Sequence, residues 1–285
     1  MPVRQPSLWD NVALETGFRC LVALKLDEAA SQFNEALKSA TGNRESIYAG
    51  LAACQYWQTR IQQLEELATP PGNTESRSGY MTELLEDYTS YPFTPMIRKF
   101  KKALLNYFAG QINQTTDMNN LETAFDLLLA VNEYQKAATF VSEFIMEYPE
   151  MYWLLYLLAQ AQWLHGNKTE ALGNYARALL YYPDTSLENR IESGPLKNLI
   201  HLCGLSMAPA FGWARNILPL VVFTDIVKPA DKQHEHAIKS YQLMQQAEES
   251  LKNNDKASSI HFRKQLKEFA PDLYEAYFNL LKQRK

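Results

Sequence analysis

The chain has 285 residues, of which 46% are hydrophobic and 21% are charged. This composition supplies enough apolar side chains for a packed core and excludes a disordered chain. The formal net charge of -4 gives no basic excess for nucleic-acid binding, and the 11 glycines are too few for a turn-rich all-β fold.

The first 68 residues, 1–68, predict helices joined by short turns. Small and apolar residues recur at spacings of three and four between Ala13 and Ala36, which is typical of two amphipathic helices. Asp27 stands where the N-cap of the second helix is expected, because its carboxylate can accept from free amides of the first turn. A long helix is predicted at about 44–67.

Residues 69–117 break this regular pattern. Residues 69–79 are rich in Pro, Gly and polar side chains and predict a loop, followed by a short helix at 80–88. A basic cluster of Arg98, Lys99, Lys101 and Lys102 then precedes an apolar helix at 103–108. These cations are able to bind phosphate or an acidic peptide. We favour the interpretation that they form the solvent-exposed face of that helix.

Residues 118–183 predict two consecutive helix pairs. Pro149 and Pro183 lie 34 residues apart, and each separates one helix from the next because proline cannot continue a helix interior. A helix at 151–164 is expected to stop at Gly166, which suits the left-handed C-terminal conformation. The second helix, at 169–182, is predicted to bury one face, composed of Ala171, Tyr175, Ala178 and Leu179.

The remaining chain predicts an irregular stretch and then a final helix pair. Residues 184–237 contain several prolines and predict short helices at 196–202 and 214–223. The second of these is strongly apolar; we expect the chain itself to cover it, with a partner or a second copy as the alternative. Residues 238–285 predict a weaker pair and a closing helix at 273–281.

The spacing within these pairs resembles the tetratricopeptide repeat (TPR) family. In the most regular pair, the matching residues are Leu155, Leu158, Ala159, Gln162, Ala171, Tyr175, Ala178 and Pro183. The preceding pair matches at Leu121, Ala124, Phe125, Leu128, Ala137, Val141, Phe144 and Pro149, and the first pair at Gly17, Ala29, Phe33 and Ala36. The resemblance covers about half of the chain. It implies an all-α solenoid of antiparallel helix pairs, a TPR-like right-handed superhelix, here with irregular helical insertions.

The resemblance also implies a site, because the first helices of such pairs line a concave groove that receives peptides. One side of the helix at 151–164 carries an aromatic stripe of Trp153, Tyr156, Gln160 and Trp163, and aromatic side chains give large contact areas. Glu122 and Asp126 hold the matching places one pair earlier and would form an acidic wall, while Leu14 and Phe18 hold them near the start. The alternative is that the aromatic stripe is buried, as helices that are apolar on all sides usually are.

No catalytic or metal-binding pattern occurs in the sequence. Phosphate-loop, dinucleotide-binding, zinc-protease and nucleophile-elbow motifs are missing. His234 and His236 stand two residues apart, so their imidazoles point to different faces of a helix and do not chelate one metal. Cys20, Cys54 and Cys203 lack paired spacing, and the sequence offers neither a signal peptide nor the about 20 apolar residues that span a bilayer. We expect no cofactor, no membrane insertion and a cytoplasmic location.

These patterns predict a non-catalytic scaffold or adaptor that binds a protein or peptide in a helical groove. A ligand with basic and apolar groups would fit the acidic wall. One alternative is a structural subunit or self-assembling component of a larger complex, including a homo-oligomer. Another is an all-helical enzyme or small-ligand-binding protein with a pocket near 184–231.

Overall fold

The computed structural model describes residues 8–39, 44–68, 74–111, 121–222 and 228–284. Every regular element in these ranges is a helix and none is a strand, which confirms the all-α prediction. The chain forms two compact units, Met1–Asn132 and Glu133–Lys285. Their boundary falls inside the range 118–183, which the sequence assigns to two repeats. The continuation of helix pairs as a superhelix stays a prediction.

The described part of the first unit is built from α1 (Leu8–Val22), α2 (Leu26–Ser39), α3 (Arg44–Ala68), α4 (Thr74–Ser90), α5 (Arg98–Gln111) and α6 (Leu121–Ala130). α1 packs on α2, α2 on α3 and α3 on α4. α1 also contacts α3 and α5, and α5 contacts α6. A 3₁₀ turn, Pro95–Ile97, leads into α5 and packs on α3. The long helix predicted at about 44–67 is confirmed as α3.

The packing of α1, α2 and α3 depends on one aromatic ring and two glycines. Phe33 of α2 is fully buried and lies against both α1 and α3. A Cβ atom at Gly17 would lie 2.7 Å from Phe33 Cε1, and one at Gly50 would lie 2.5 Å from Phe33 Cε2. Any larger residue at either glycine would therefore collide with a ring that has no free space around it.

Two features predicted for this unit are wrong. α2 begins at Leu26, so Asp27 lies within the first turn rather than at the N-cap, and its Oδ1 accepts a hydrogen bond from Gln58 Nε2. α4 begins at Thr74, so residues 74–79 are helical where the sequence predicts a loop; residues 69–73 lie outside the described residues. The helix includes Gly79, because a single glycine weakens a helix by only about 1 kcal/mol.

A polar cluster joins α4 to α3. Arg60 Nε donates to Asp87 Oδ2 at 2.6 Å, and Tyr56 OH donates to Asp87 Oδ1 at 3.1 Å. The Arg60 guanidinium also lies over the Tyr56 ring, with its Cζ 3.7 Å from the centroid. Tyr80 OH donates to the Arg60 carbonyl at 3.3 Å. Among the α4 side chains that the structure describes, only Leu84 is buried, so the polar cluster has a large share in holding this helix.

The second unit contains α7 (Tyr134–Glu147), α8 (Leu154–His165), α9 (Lys168–Tyr181), α10 (Gly194–Cys203), α11 (Ala208–Ala214), α12 (Lys232–Lys252), α13 (Lys256–Phe269) and α14 (Pro271–Gln283). α7 packs on α8 and α8 on α9, while α12 packs on α13 and α13 on α14. α11 contacts α9, α12 and α14 and so links these two sets. The helices predicted at 151–164, 169–182, 196–202 and 273–281 are confirmed with small shifts of their ends.

The α8–α9 pair follows the sequence pattern closely. Gly166 ends α8 with a φ of 101°, the left-handed conformation that was predicted for it. The face of α9 made by Ala171, Tyr175, Ala178 and Leu179 is fully buried, as predicted. Asn174 Nδ2 of α9 donates to Gln162 Oε1 of α8 at 2.7 Å, which adds a polar contact between the two helices.

The prediction of a helix at 214–223 is wrong for the residues of this range that the structure describes. α11 ends at Ala214, and Asn216 adopts a φ of 57°, which interrupts the helical path. Residues 219–222 are not helical, and Phe223 lies outside the described residues. Proline at 219 cannot donate to a helix and disfavours helical geometry at the residue before it, so the local sequence opposes the helix.

The apolar residues of this stretch are covered largely by their own unit, as expected. Leu218 is buried against Gly212, where a Cβ atom would lie 2.7 Å from Leu218 Cδ1. The amide of Val221 donates to Tyr241 OH of α12 at 2.7 Å. Val222 is exposed. The chain itself therefore buries or partly buries most of the described apolar side chains of this stretch.

Candidate functional site

The aromatic stripe predicted as a binding surface is partly enclosed. Tyr156 is fully buried and Gln160 is 8% exposed, whereas Trp153 and Trp163 are half-buried. Tyr156 and Gln160 therefore do not form an open surface in this structure, and the alternative of burial holds for both. Trp153 and Trp163 remain the accessible part of the stripe.

The cover is the irregular segment that follows α9. Its 3₁₀ helix, Thr185–Arg190, packs on α8. Tyr156 OH donates to the Tyr182 carbonyl at 2.9 Å, and Gln160 Nε2 donates to Glu192 Oε1 at 3.0 Å. Gln160 Oε1 is buried without a partner in the described part of the chain. In a regular repeat array another helix pair would follow directly; here the inserted segment folds back over the face expected to line a groove.

The predicted acidic wall lies in the other compact unit. Glu122 and Asp126 are exposed on α6, which belongs to the first unit, whereas the aromatic stripe belongs to the second. Their spacing of four residues places both carboxylates on one side of α6. α6 thus presents an accessible acidic face, which does not belong to the same unit as the aromatic stripe.

An open groove runs between α1 and the start of α5 in the first unit. It has a volume of about 540 Å³ and is lined by Glu15, Phe18, Arg19, Leu21, Val22, Met96, Ile97, Lys99 and Phe100. Leu21, Ile97 and Phe100 are buried and form its floor. Val22 is 37% exposed and Met96 is 45% exposed, so the walls offer apolar surface to solvent. We refer to this feature as the α1–α5 groove.

Neighbouring side chains hold the walls of the α1–α5 groove in place. Phe18 packs edge-on against the buried Phe33, with ring centroids 5.0 Å apart. Ser46 Oγ of α3 donates to Met96 Sδ at 2.9 Å. Because Phe33 is itself wedged against Gly17 and Gly50, one wall depends directly on the packing of α1, α2 and α3. The groove is therefore preformed by the fold, as small apolar binding sites usually are.

The rim of the α1–α5 groove is charged, with Glu15, Arg19 and Lys99 around an apolar interior. Arg19 and Lys99 are exposed, and Arg19 Nη2 donates to the neutral Thr16 Oγ1 at 3.1 Å. Neither cation has a carboxylate partner among the described residues. The rim thus combines two available cations with one carboxylate.

The basic cluster of the sequence lies inside α5 rather than before it, because α5 begins at Arg98. Its members differ in their contacts. Lys101 Nζ lies 5.3 Å from the centroid of the Tyr88 ring and 5.1 Å from that of Phe93, so this cation has aromatic neighbours. Lys99 and Lys102 are exposed and have no such partner in the described part of the chain. Within the cluster, Lys101 thus packs on aromatic rings, whereas Lys99 and Lys102 are available to solvent.

The sequence did not predict the α1–α5 groove. The repeat resemblance placed Leu14 and Phe18 at groove positions; Phe18 lines the groove, whereas Leu14 is buried. Met96 and Ile97 were missed because they lie in a 3₁₀ turn outside any repeat. The sequence did contain one signal for these two residues. Met96 and Ile97 lie between the basic cluster and Pro95, a residue type that favours the start of a helix.

The pocket required by the enzyme alternative has little support in the described part of 184–231. Leu196, Leu199, Ile200 and Trp213 there belong to the apolar core of the second unit, and His201 is exposed on α10. A cleft of about 530 Å³ between α11 and α14 is lined by Arg215, Asn216, Asp272, Glu275, Asn279 and other residues. All five of these polar side chains are exposed, so the cleft lacks a desolvated group of the kind that active sites use.

His234 and His236 have structural partners, and the cysteines form no disulfide. His234 Nε2 lies 2.8 Å from the Leu180 carbonyl and its Nδ1 accepts from the Ala230 amide, while His236 stacks on Phe269. No group of three or more potential metal ligands occurs in the described ranges. All three cysteines are free, and burial raises the pKa of Cys203 to about 11. A thiol with such a pKa stays protonated at neutral pH and is a poor nucleophile.

No helix among the residues that the structure describes is both long and apolar enough to cross a bilayer. Comparisons with protein-family models, curated proteins and solved structures found no match. The resemblance to tetratricopeptide repeats therefore rests on the residues quoted for it in the sequence.

Proposed function

We propose that this protein is a non-catalytic interaction scaffold of tetratricopeptide type that binds a segment of a partner protein in the α1–α5 groove. The single observation that carries the proposal is the preformed apolar groove with solvent-accessible walls at Val22 and Met96. An exposed apolar surface rimmed by polar residues is typical of protein interaction sites.

The size of the groove favours a short segment over a flat protein surface. A volume of about 540 Å³ is of the size that accommodates a few apolar side chains and lies within the usual range for ligand sites. The floor of Leu21, Ile97 and Phe100 is fixed by burial, so binding requires little reorganisation of the groove. Peptide recognition by such grooves relies on a few anchor side chains spaced along a helix or an extended segment.

Selection from a peptide library tests this proposal. Random peptides of about 16 residues, roughly four helical turns, are displayed on phage and selected against the full chain. We expect enriched peptides to lose at least about tenfold in affinity for the Val22→Asn/Met96→Gln variant, which makes the walls polar while leaving the buried floor intact. Isothermal titration with the synthesised peptides measures this loss.

Tyr48→Gln provides the matched control. Tyr48 is 54% exposed on α3 and does not line the groove, so this variant removes exposed apolar surface elsewhere in the same unit. Its peptide affinities are expected to equal those of the unmodified chain. A selection that yields no peptides sensitive to the Val22→Asn/Met96→Gln change would rule out the groove as the binding site.

A further inference from the structure

The first turns of α5 carry an unusual charge arrangement. Arg98 and Lys99 open the helix, Lys101 and Lys102 follow, and no acidic residue occupies the first turn. The 3₁₀ turn pairs the amides of Ile97 and Arg98 with the carbonyls of Thr94 and Pro95, but cations remain unfavourable at this end, because the aligned peptide dipoles give a helix N-terminus a partial positive charge. Unfavourable local choices of this kind are expected at functional or strained sites.

Available cations border the apolar groove on both walls, with Arg19 on α1 and Lys99 on α5. Arg19 and Lys99 line the α1–α5 groove, and Lys102 follows Lys99 at the three-residue spacing that places two side chains on one helix face. Lys101, by contrast, faces the Tyr88 and Phe93 rings. Among the described residues that line the groove, Glu15 is the one carboxylate. The charge next to the apolar interior is therefore predominantly positive.

We infer that the segment bound in the groove is acidic and apolar: apolar anchors enter between Phe18, Val22 and Met96, and Asp or Glu side chains flank them toward Arg19, Lys99 and Lys102. This inference rests on the proposed function and names the chemistry of its partner. Opposite charges at the edge of an interface guide association and fix the register of a bound segment. Glu15 lies on α1 and repels a carboxylate, so the acidic flank is expected to lie nearer Lys99 and Lys102 of α5 than Arg19 of α1.

A free phosphate group fits the observations less well than an acidic peptide. Arg19 and Lys99 are exposed on the rim, and the structure describes no buried polar group that would hold a desolvated phosphate there. The interior between the cations is apolar and would stay unoccupied by such an ion. A peptide uses both features at once, since its apolar residues fill the interior while its carboxylates meet the rim.

The test uses peptides from the selection described above. The tightest groove-dependent peptide is synthesised with its flanking residues as Glu, as Gln and as Lys, and each form is measured against the full chain by fluorescence anisotropy. We expect the Glu form to bind at least about tenfold more tightly than the Gln form, and the Lys form to bind most weakly. Raising the salt concentration is expected to reduce this difference, because the rim is exposed.

A second experiment reverses the charge of two lysines on α5. Lys99→Glu/Lys102→Glu changes two exposed side chains and is expected to invert the preference, so that the Lys form becomes the tightest. Lys256→Glu/Lys264→Glu on α13 makes the same change of net charge on exposed residues of the second unit and is expected to change affinities by less than about twofold. Circular dichroism checks that both variants keep their helix content.

The possible failures are distinguishable. Equal affinities for the Glu, Gln and Lys forms, with sensitivity to Val22→Asn/Met96→Gln retained, would overturn the acidic partner and leave groove binding intact. Equal displacement of all three forms by millimolar inorganic phosphate would point to a simple anion site and would also overturn it. Absence of any groove-dependent peptide would remove the proposed function and this inference together.

Discussion

Phe33 shows how single residues determine the packing of the first unit. Its ring is fully buried and occupies the space that Cβ atoms at Gly17 and Gly50 would need. Both glycines lie inside helices, where glycine is intrinsically unfavourable by about 1 kcal/mol relative to alanine. Their presence in the helices is explained by the close approach of this ring. The same ring supports Phe18 and hence the wall of the α1–α5 groove.

Gly50→Ala is therefore expected to destabilise the first unit despite the better helix propensity of alanine. The new Cβ would lie 2.5 Å from Phe33 Cε2, and overpacking of this kind costs about 1–3 kcal/mol. Gly79→Ala in α4 is the matched control, because no atom lies within 4 Å of its new Cβ. We expect that control to be neutral or to stabilise by up to about 1 kcal/mol. Urea unfolding measures both; a stabilised Gly50→Ala variant would show that Phe33 is not confined.

Cys54 gives a prediction about reactivity. Its side chain is buried, and burial raises its pKa from the ordinary 9.0 to about 12. At pH 8 its thiolate population is then about a thousandfold lower than that of an unperturbed thiol. Alkylation by iodoacetamide, followed by mass spectrometry, should be slow at Cys54 in the folded chain and fast in urea. Rapid alkylation of the folded chain at pH 8 would contradict this burial.

At the scale of elements, a polar cluster joins α4 to α3 beside the buried Leu84. Asp87 accepts from Arg60 and Tyr56, and both charged partners are about one-third exposed, with side-chain exposures of 31% for Arg60 and 36% for Asp87. Asp87→Ala is expected to cost about 1 kcal/mol, the upper range for exposed ion pairs, because a hydrogen bond and an ordered guanidinium are lost together.

Hydrogen exchange measures this effect locally. We expect faster exchange in 80–90 for the Asp87→Ala variant, since opening of α4 becomes easier. Lys25→Ala is the control, because its ion pair with Glu28 is well exposed, at 59% and 60%, and is expected to contribute less than about 0.5 kcal/mol. Equal exchange of 80–90 in the unmodified chain and the Asp87→Ala variant would show that the polar cluster does not hold α4.

In the second unit, Glu248 of α12 is bound by two residues of the chain end. Tyr277 OH donates to Glu248 Oε1 at 2.8 Å, and Arg284 Nη1 donates to Glu248 Oε2 at 2.9 Å. Tyr277 is fully buried, and burial, followed by the Glu248 carboxylate, raises its pKa above the ordinary 10.0. Tyr277→Phe is expected to lower stability at pH 7 by about 1.5–3 kcal/mol, the range for a hydrogen bond to a charged group.

The pH dependence of this contribution has a definite sign. Below pH 10.0, tyrosine is protonated in both states and the stabilisation is fully present. As the pH rises above 10.0, the unfolded tyrosine ionises while the folded one stays protonated, so stability is lost. The difference between the unmodified chain and Tyr277→Phe should therefore shrink from about pH 9 to pH 11, as measured by urea unfolding. A difference that is constant across this range would contradict the raised pKa.

The sequence predicted those elements whose local signals agree with their packing. Gly166 and the buried face of α9 are examples, because small residues, an aromatic residue and a stop signal all lie at helical spacing. The helix predicted at 214–223 failed because its apolar composition reflects burial of an irregular segment rather than helical packing. Composition alone does not distinguish these two causes.

The site was harder to predict than the elements, because accessibility is a property of the whole fold. Tyr156 and Gln160 have the residue types of a binding surface, yet the segment after α9 covers them through Tyr182 and Glu192. Conversely, the α1–α5 groove joins residues that are about 80 positions apart in the sequence, such as Phe18 and Met96. No local pattern contains that juxtaposition. What the sequence did predict was the helical class of the elements and, of the groove lining, Phe18 alone as a residue at a binding position.

Across the whole molecule, the central claim is that partner contact occurs in the α1–α5 groove of the first unit. Site-specific photo-crosslinking in native cells tests this most directly, with a benzophenone amino acid placed at Val22, Met96, Tyr48, Trp153 or Trp163 in otherwise unmodified chains. We predict that probes at positions 22 and 96 crosslink to one shared segment of a partner protein, identified by mass spectrometry, and that the probe at 48 does not. Crosslinks from positions 153 and 163 with none from 22 and 96 would contradict the account and move the binding site to the accessible part of the aromatic stripe.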